Sequence, residues 1–181
     1  MLAVLAFVGA LAADVPAAPA HAAPAADDVV MAPRRAPYAA GASLGLGFVS
    51  QPALDVHVGA FVRSRFSRAF LLRGDVTADI GAGNAVFTAD AASQFVHDID
   101  DAIEIAIGGG PAGGVILRDD LVDGDARLDG FLGIVGITSA TIAPAPWWSV
   151  GLELRGLVAF MLPTAELLVA PSLSLTTLFK F

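Results

Sequence analysis

The chain has 181 residues, 56% of them hydrophobic and only 15% charged, against about 25% charged in an ordinary soluble domain. A formal net charge of -8, with Lys180 as the only lysine, leaves no basic surface to neutralise phosphates, so nucleic acid is excluded as a partner. Cysteine is absent, which excludes disulfides, thiolate metal sites, a cysteine nucleophile and a lipid-modified N-terminal cysteine, and the length suits one domain with a proper core.

In chain order, residues 2–13 form a short apolar run, followed by Pro/Ala-rich sequence containing Ala20-His21-Ala22, an A-x-A cleavage pattern. The run is too short to cross a bilayer as a helix, which takes about 20 apolar residues. Residues 1–22 are therefore expected to be a signal peptide, although the usual positive start is missing. Residues 23–37, rich in Ala and Pro and without apolar periodicity, read as a disordered linker.

From Tyr38 onward the repeating signal has period two, which argues strands. Leu54, Val56, Val58, Ala60 and Val62 fall on one face, with Asp55, His57, Gly59 and Arg63 on the other. Leu72, Val76, Ala78 and Ile80 oppose Arg73, Asp75, Thr77 and Asp79; Ile103, Ile105 and Ile107 oppose Glu104. Further on, Val150, Leu152, Leu154, Val158 and Phe160 oppose Glu153 and Arg155, and Val169, Leu173, Leu175, Phe179 and Phe181 oppose Ser172, Ser174, Thr176 and Lys180. Each strand thus has one apolar and one polar face. Turn-like sequence stands at 50–53, 64–68, 108–114, 143–146 and 162–166. The spacing predicts an all-β antiparallel up-and-down barrel of about eight strands over residues 38–181, with 115–121 as one of them. Residues 130–152 carry no charge and are long enough for a transmembrane helix, but Pro144, Pro146 and the Gly, Ile, Val and Thr content favour a hairpin there.

Alternation alone does not separate a soluble barrel from a membrane barrel with its apolar face outward. Lipid outside is favoured by polar faces of Gly, Ser, Thr and charges of both signs, which suit a narrow filled lumen, and by the near absence of lysine, a common guard of soluble edge strands. Tracing a meander from Tyr38 also brings Tyr38, Phe66, Trp147, Trp148 and Phe181 to one end, as an interfacial aromatic girdle requires.

The final strand, with Leu173, Leu175, Phe179 and Phe181 on one face, resembles the sorting signal of bacterial outer-membrane β-barrel proteins, and residues 38–181 resemble small eight-stranded barrels of the OmpA/OmpX type at the level of pattern. Thr177 on the apolar face and Pro171 near the strand's start depart from that pattern. The resemblance implies a transmembrane barrel in the outer membrane of a Gram-negative envelope. It also implies lipid and lipopolysaccharide as surroundings, and the barrel-assembly machinery as a partner during insertion.

Asp55, His57, Arg63, Arg73, Asp75, Asp79, Glu104, Glu153, Arg155 and Lys180 then face the lumen, where charges must pair or stay hydrated. The expectation is a salt-bridge network that fills the lumen of a structural or adhesive barrel; a narrow pore and a soluble periplasmic barrel binding an apolar ligand are the rival readings. Some small outer-membrane barrels are lipid A acylases or deacylases, but His57, His97 and His21 stand near no recognisable nucleophile motif, so no enzyme, cofactor or metal is expected. Asp98, Asp100 and Asp101, and then Asp119, Asp120, Asp123, Asp125 and Asp129, are expected together in loops at the cell exterior as solvated charge.

Overall fold

Period-two alternation builds a closed wall. In the computed structural model, which describes residues 38–49, 54–100, 102–119 and 126–181, the strands are β1 (Tyr38–Gly47), β2 (Asp55–Arg65), β3 (Phe70–Gly81), β4 (Asn84–Asp98), β5 (Ile103–Asp119), β6 (Ala126–Ala145), β7 (Trp148–Leu162) and β8 (Leu167–Lys180). Each pairs antiparallel with the next, and β8 pairs with β1, so the sheet closes on itself. The expected signal peptide (1–22), linker (23–37) and turn at 50–53 lie outside the described residues.

The register can be followed once round the wall. Starting at Tyr38 and passing through its lateral partners Ser64, Leu72, Ser93, Gly109, Gly136, Gly156 and Pro171, the path returns to β1 at Phe48, whose N–H donates to the Pro171 carbonyl at 2.9 Å. The path has climbed ten residues of β1, from 38 to 48. With about 3.3 Å per residue and about 4.8 Å between strands, that stagger tilts the strands by roughly 40° from the barrel axis. One end holds Tyr38, Phe181 and the turns after β2, β4 and β6, and is level. The other end is stepped, because Ala126–Asp129 of β6 continue past the first β7 pair, Gly130 with Leu162.

Several expectations are corrected. Residues 108–114 are not a turn but the middle of β5, and 115–121 is no separate strand, since β5 runs unbroken through Asp119. The glycines there serve close packing rather than reversal: a Cβ on Gly108, Gly110 or Gly114 would lie 2.0, 1.9 and 1.9 Å from carbonyl oxygens of Ser93, Ala91 and Phe87 on β4. The reversal that the sequence reading passes over is Ala82–Gly83, where Gly83 has φ +83°, a conformation that L side chains rarely adopt. That turn opens β4, which inverts the segment around residues 98–107 relative to the expected tracing; β5, a single strand where two were expected, restores the expected direction from β6 onward. Asp98 and Asp100 consequently lie at the level end with Tyr38 and Phe181, while Asp119 and Asp129 lie at the stepped end. Asp101, Asp120, Asp123 and Asp125 lie outside the described residues. The uncharged stretch 130–152 is a hairpin, with β6 and β7 meeting at Pro146–Trp147.

The outward face is the apolar one. Val56, Val76, Leu132, Leu154, Leu173 and Leu175 are exposed, whereas Asp55, Asp75, Thr77, Glu153 and Ser174 are buried inside. The contrast between neighbours is sharp: Val76 is 65% exposed and Thr77 only 3%. An arginine at Val76 should therefore destabilise the barrel in lipid vesicles by about 2–4 kcal/mol. Thr77→Ser, which removes one buried methyl group, should cost about 1 kcal/mol. Urea unfolding in vesicles checks the pair; equal losses would mean that the faces are reversed.

Candidate functional site

The interior is the candidate site, because that is where the charged side chains converge. At mid-height Arg73 of β3 sits between two carboxylates. Its Nε donates to both oxygens of Asp75 (3.0 and 2.9 Å), and its Nη1 and Nη2 donate to Glu153 of β7 (2.5 and 3.1 Å). The fork shape of guanidinium allows both engagements at once. Its flat face covers the Phe61 ring at 3.8 Å, a cation–π contact away from water. Arg155 bonds Asp90 of β4 and stands 3.7 Å from Asp75. Arg73, Asp75, Glu153 and Arg155 are all buried.

Towards the level end a second cluster joins Arg63 to Glu104 (2.6 Å) and Arg65 to Glu104 and Asp98 (3.2 and 2.8 Å). Lys180 closes β8 at the same end, its N–H donating to the Trp147 carbonyl at 2.9 Å. Towards the stepped end His57 Nδ1 meets Asp79 Oδ1 at 2.7 Å. Asp55 is buried beside Gly81, where a Cβ would fall 1.6 Å from its Oδ1, so any side chain at 81 would displace that carboxylate. Among the expected lumen residues, then, Arg73, Asp75, Glu153 and Arg155 share one cluster, Arg63 and Glu104 another, and His57 and Asp79 a third. Asp90, Arg65 and Phe61 belong to these clusters and escape the sequence reading, and Asp98, expected as solvated charge in an exterior loop, pairs with Arg65 instead. Asp90 has a legible signal, the inward series Val86, Thr88, Asp90, Ala92 and Gln94, once β4 is recognised as a strand.

The interior is not uniformly polar, which corrects the rule of one apolar and one polar face per strand. In the half nearer the stepped end, Val86, Ile116, Phe131, Val135, Leu157, Met161 and Leu168 pack into an apolar cluster on the side of β4 to β8. On β6 the inward Phe131 and Val135 adjoin the outward Leu132 and Ile134, so the strand is apolar on both faces and its alternation disappears. Arg118 lies over this cluster, its Nη2 2.9 Å from Met161 Sδ.

Lateral pairing also brings Ser174, Gly45, His57 and Asp79 into one row. The residue types suggest a nucleophile, a base and an orienting acid. They do not form a relay: Ser174 Oγ and His57 Nε2 make no hydrogen bond, and their residues are 2% and 1% exposed, out of reach of a substrate.

On the outside, Tyr38, Phe66, Trp147 and Phe181 are exposed at the level end, with Trp148 partly covered. Trp147 stacks on Phe179 at 6.2 Å and on Trp148 at 6.3 Å. Thr177, the polar residue on the apolar face of β8, accepts a hydrogen bond from Trp148 Nε1 at 2.9 Å. Leu173, Leu175, Phe179 and Phe181 all point outward.

No family model and no curated protein matches the chain. Solved structures do. The Neisserial surface protein A (NspA) is similar over 80% of this chain and 97% of its own, with 14% identity and a TM-score of 0.70. Ail, the attachment invasion locus protein of Yersinia pestis, covers 80% and 96% at 11% identity with a TM-score of 0.54. The N-terminal β-barrel domain of Pseudomonas aeruginosa OprF covers 78% and 97% at 7% identity with a TM-score of 0.57. The fold is that of the small, eight-stranded up-and-down transmembrane barrels of OmpA/OmpX type.

Glu153 tests how much the central layer contributes. Glu153→Ala strips Arg73 of one of its two carboxylates, and breaking a buried ion pair should cost about 3–5 kcal/mol. Glu166→Ala removes only a 3.7 Å contact to Arg118 between half-exposed side chains at the rim, and should cost about 0–1 kcal/mol. Urea unfolding in detergent micelles, followed by tryptophan fluorescence, measures both.

Proposed function

We propose that this chain is a structural or adhesive barrel of a Gram-negative outer membrane, with a closed lumen, no catalytic activity and its level end towards the periplasm. One observation carries the reading: no Asp, Glu, Lys or Arg occupies a described outward-facing strand position, while ten charged residues and His57 cluster inside. Such a surface is costly in water and suited to hydrocarbon. The aromatic cluster at the level end matches a membrane interface, where rings with a polar edge are favoured. NspA, Ail and the OprF domain support the kind of protein. The buried Arg73–Glu153 layer supports a plug rather than a pore, since opening a path would separate charges that hold each other.

Lipid, and lipopolysaccharide in the outer leaflet, are the proposed surroundings of the wall. The outward face of β8 is proposed to be read by the barrel-assembly machinery during insertion. Expressed in a Gram-negative host, the protein should fractionate with the outer membrane and shift its mobility on SDS gels when boiled. Recovery as a detergent-free soluble protein would overturn the reading. In planar bilayers the refolded barrel should stay silent, and steady single-channel conductance would replace the plug with the pore. Phe179→Ser combined with Phe181→Ser should lower the amount inserted in cells yet leave refolding into detergent nearly unchanged, because closure rests on backbone pairing. Unchanged insertion would remove the assembly role from this face.

A further inference from the structure

A barrel wall is convex, and lipid usually touches it from one side only. On the outer surface of β6, β7, β8 and β1 this wall is concave instead, with a cavity volume of about 810 Å³. Its shape follows from the register. One lateral row runs Ile142, Val150, Thr177, Ala42, residues with short or branched side chains. The row two residues above it runs Leu152, Leu175, Leu44, which are 55%, 68% and 61% exposed and stand out as a ridge. The row below is an aromatic ridge, Trp148 paired with Phe179. Val150, Thr177 and Ala42 are therefore the floor of a trough between two walls, and Ile142, 55% exposed, bounds it at the β6 end.

The floor holds one hydroxyl, Thr177 Oγ1, and Trp148 Nε1 already occupies it at 2.9 Å. What the trough presents is apolar and uncharged along its whole length. Three inter-strand steps carry it about 14 Å round the wall. At the roughly 40° pitch of the rows it rises by about 9 Å, less than half of the apolar band of roughly 25 Å that such barrels span. It starts at the aromatic end and stays within one leaflet.

We propose that this trough is a binding site for one acyl chain of a phospholipid in the leaflet at the level end. The inference rests on the membrane placement proposed above. A chain lying there meets protein on three sides, which multiplies its dispersion contacts over those of a lipid on the convex wall. The absence of charge excludes a headgroup or an ionic peptide from the trough itself, so the headgroup stays at the level of Trp147.

Trp147 and Trp148 are the only tryptophans in the chain, so Trp147→Phe makes Trp148, in the wall of the trough, the sole fluorescent reporter. Delipidated barrel in micelles is titrated with phosphatidylcholine brominated in its acyl chains, a contact quencher. Saturable quenching at one lipid per barrel is expected. Ala42→Phe, which fills the floor, should weaken the apparent affinity at least about tenfold, while Ala89→Phe on the outer face of β4 should leave it unchanged. Linear, unsaturable quenching, or equal curves for both fillings, would overturn the site. Saturation by brominated free fatty acid but not by phosphatidylcholine would overturn the assignment to phospholipid. A heat-shift gel on each sample keeps the readings apart: folded barrel without saturable quenching refutes the trough alone, and loss of the heat shift from the unsubstituted protein refutes the barrel reading itself.

Discussion

Everything in this molecule depends on closing the backbone hydrogen bonds of β8 against β1. A strand edge left open in a hydrocarbon medium has no water to satisfy its N–H and C=O groups, and each such group costs several kcal/mol. Closure here runs from the Ala39–Lys180 pair to the Gly47–Ser172 pair, extended by Phe48 N–H to Pro171 at one end and Phe181 N–H to Tyr38 at the other. Pro171 fits because it faces outward and contributes its carbonyl, which is the group that the seam uses. The ten-residue stagger that this seam fixes then sets strand tilt, the stepped rim and the oblique rows on the outer wall.

Closure also sets how wide the interior is, and eight strands leave space for side chains but little else. The sequence meets that limit in two ways. Where the inward positions are charged, on β2, β3 and β7, Arg73 and Arg155 each engage carboxylates from more than one place in the wall, so that burial is matched by pairing. Where they are apolar, on β4 to β8, Phe131, Ile116, Met161 and Leu168 pack as in a soluble core. Glycine handles the tightest places: Gly81 makes way for Asp55, and Gly59 lies 2.6 Å, at its missing Cβ, from Ser43 Oγ. A barrel packed in this manner has two stabilising media, a salt-bridged one and a dry one, stacked within a single wall.

How much of this is legible in the sequence depends on the same division. On β2, β3, β7 and β8 the interior is polar and the exterior apolar, so period-two alternation is strong and both faces can be assigned residue by residue. On β6 the interior is as apolar as the exterior, and the run from Phe131 to Ile137 loses its alternation. On β5 the signal fails for another reason: Gly108, Gly109, Gly110, Pro111, Gly113 and Gly114 look like a turn, because close approach of neighbouring strands and chain reversal select the same residues. On β4 the outward Ala89, Ala91 and Ser93 are too small to mark an apolar face, which hides Asp90 and with it the partner of Arg155. Overlooking β4 also misplaces Asp98 and Asp100, since in a meander an overlooked strand inverts the loops that follow until a second miscount restores the direction. Strand count survives such an error when a glycine-rich run elsewhere mimics a turn, as residues 108–114 do.

Arg63, Arg65, Arg73 and Arg155 each engage interior carboxylates, and the apolar cluster is buried beside them. On the plugged-barrel reading proposed above, contacts with other molecules fall on the rims or on the outer wall. The stepped rim is irregular because β6 overshoots β7, and there Arg127 pairs with Asp129 at 2.9 Å and Arg118 stands 3.7 Å from Glu166. The outer wall is different in kind, since its outward-facing positions with described side chains hold no Asp, Glu, Lys or Arg and recognition there rests on shape. Shape in a lipid-facing wall comes from the order of large and small residues along the lateral rows, and those rows are drawn by the register of the seam. Thr177 illustrates the link. As a polar residue on an apolar face it looks like a flaw in the strand pattern, yet its hydroxyl fixes the Trp148 ring at the edge of the concave stretch of wall. A position that weakens the alternation of β8 thus shapes the surface that β8 presents to lipid.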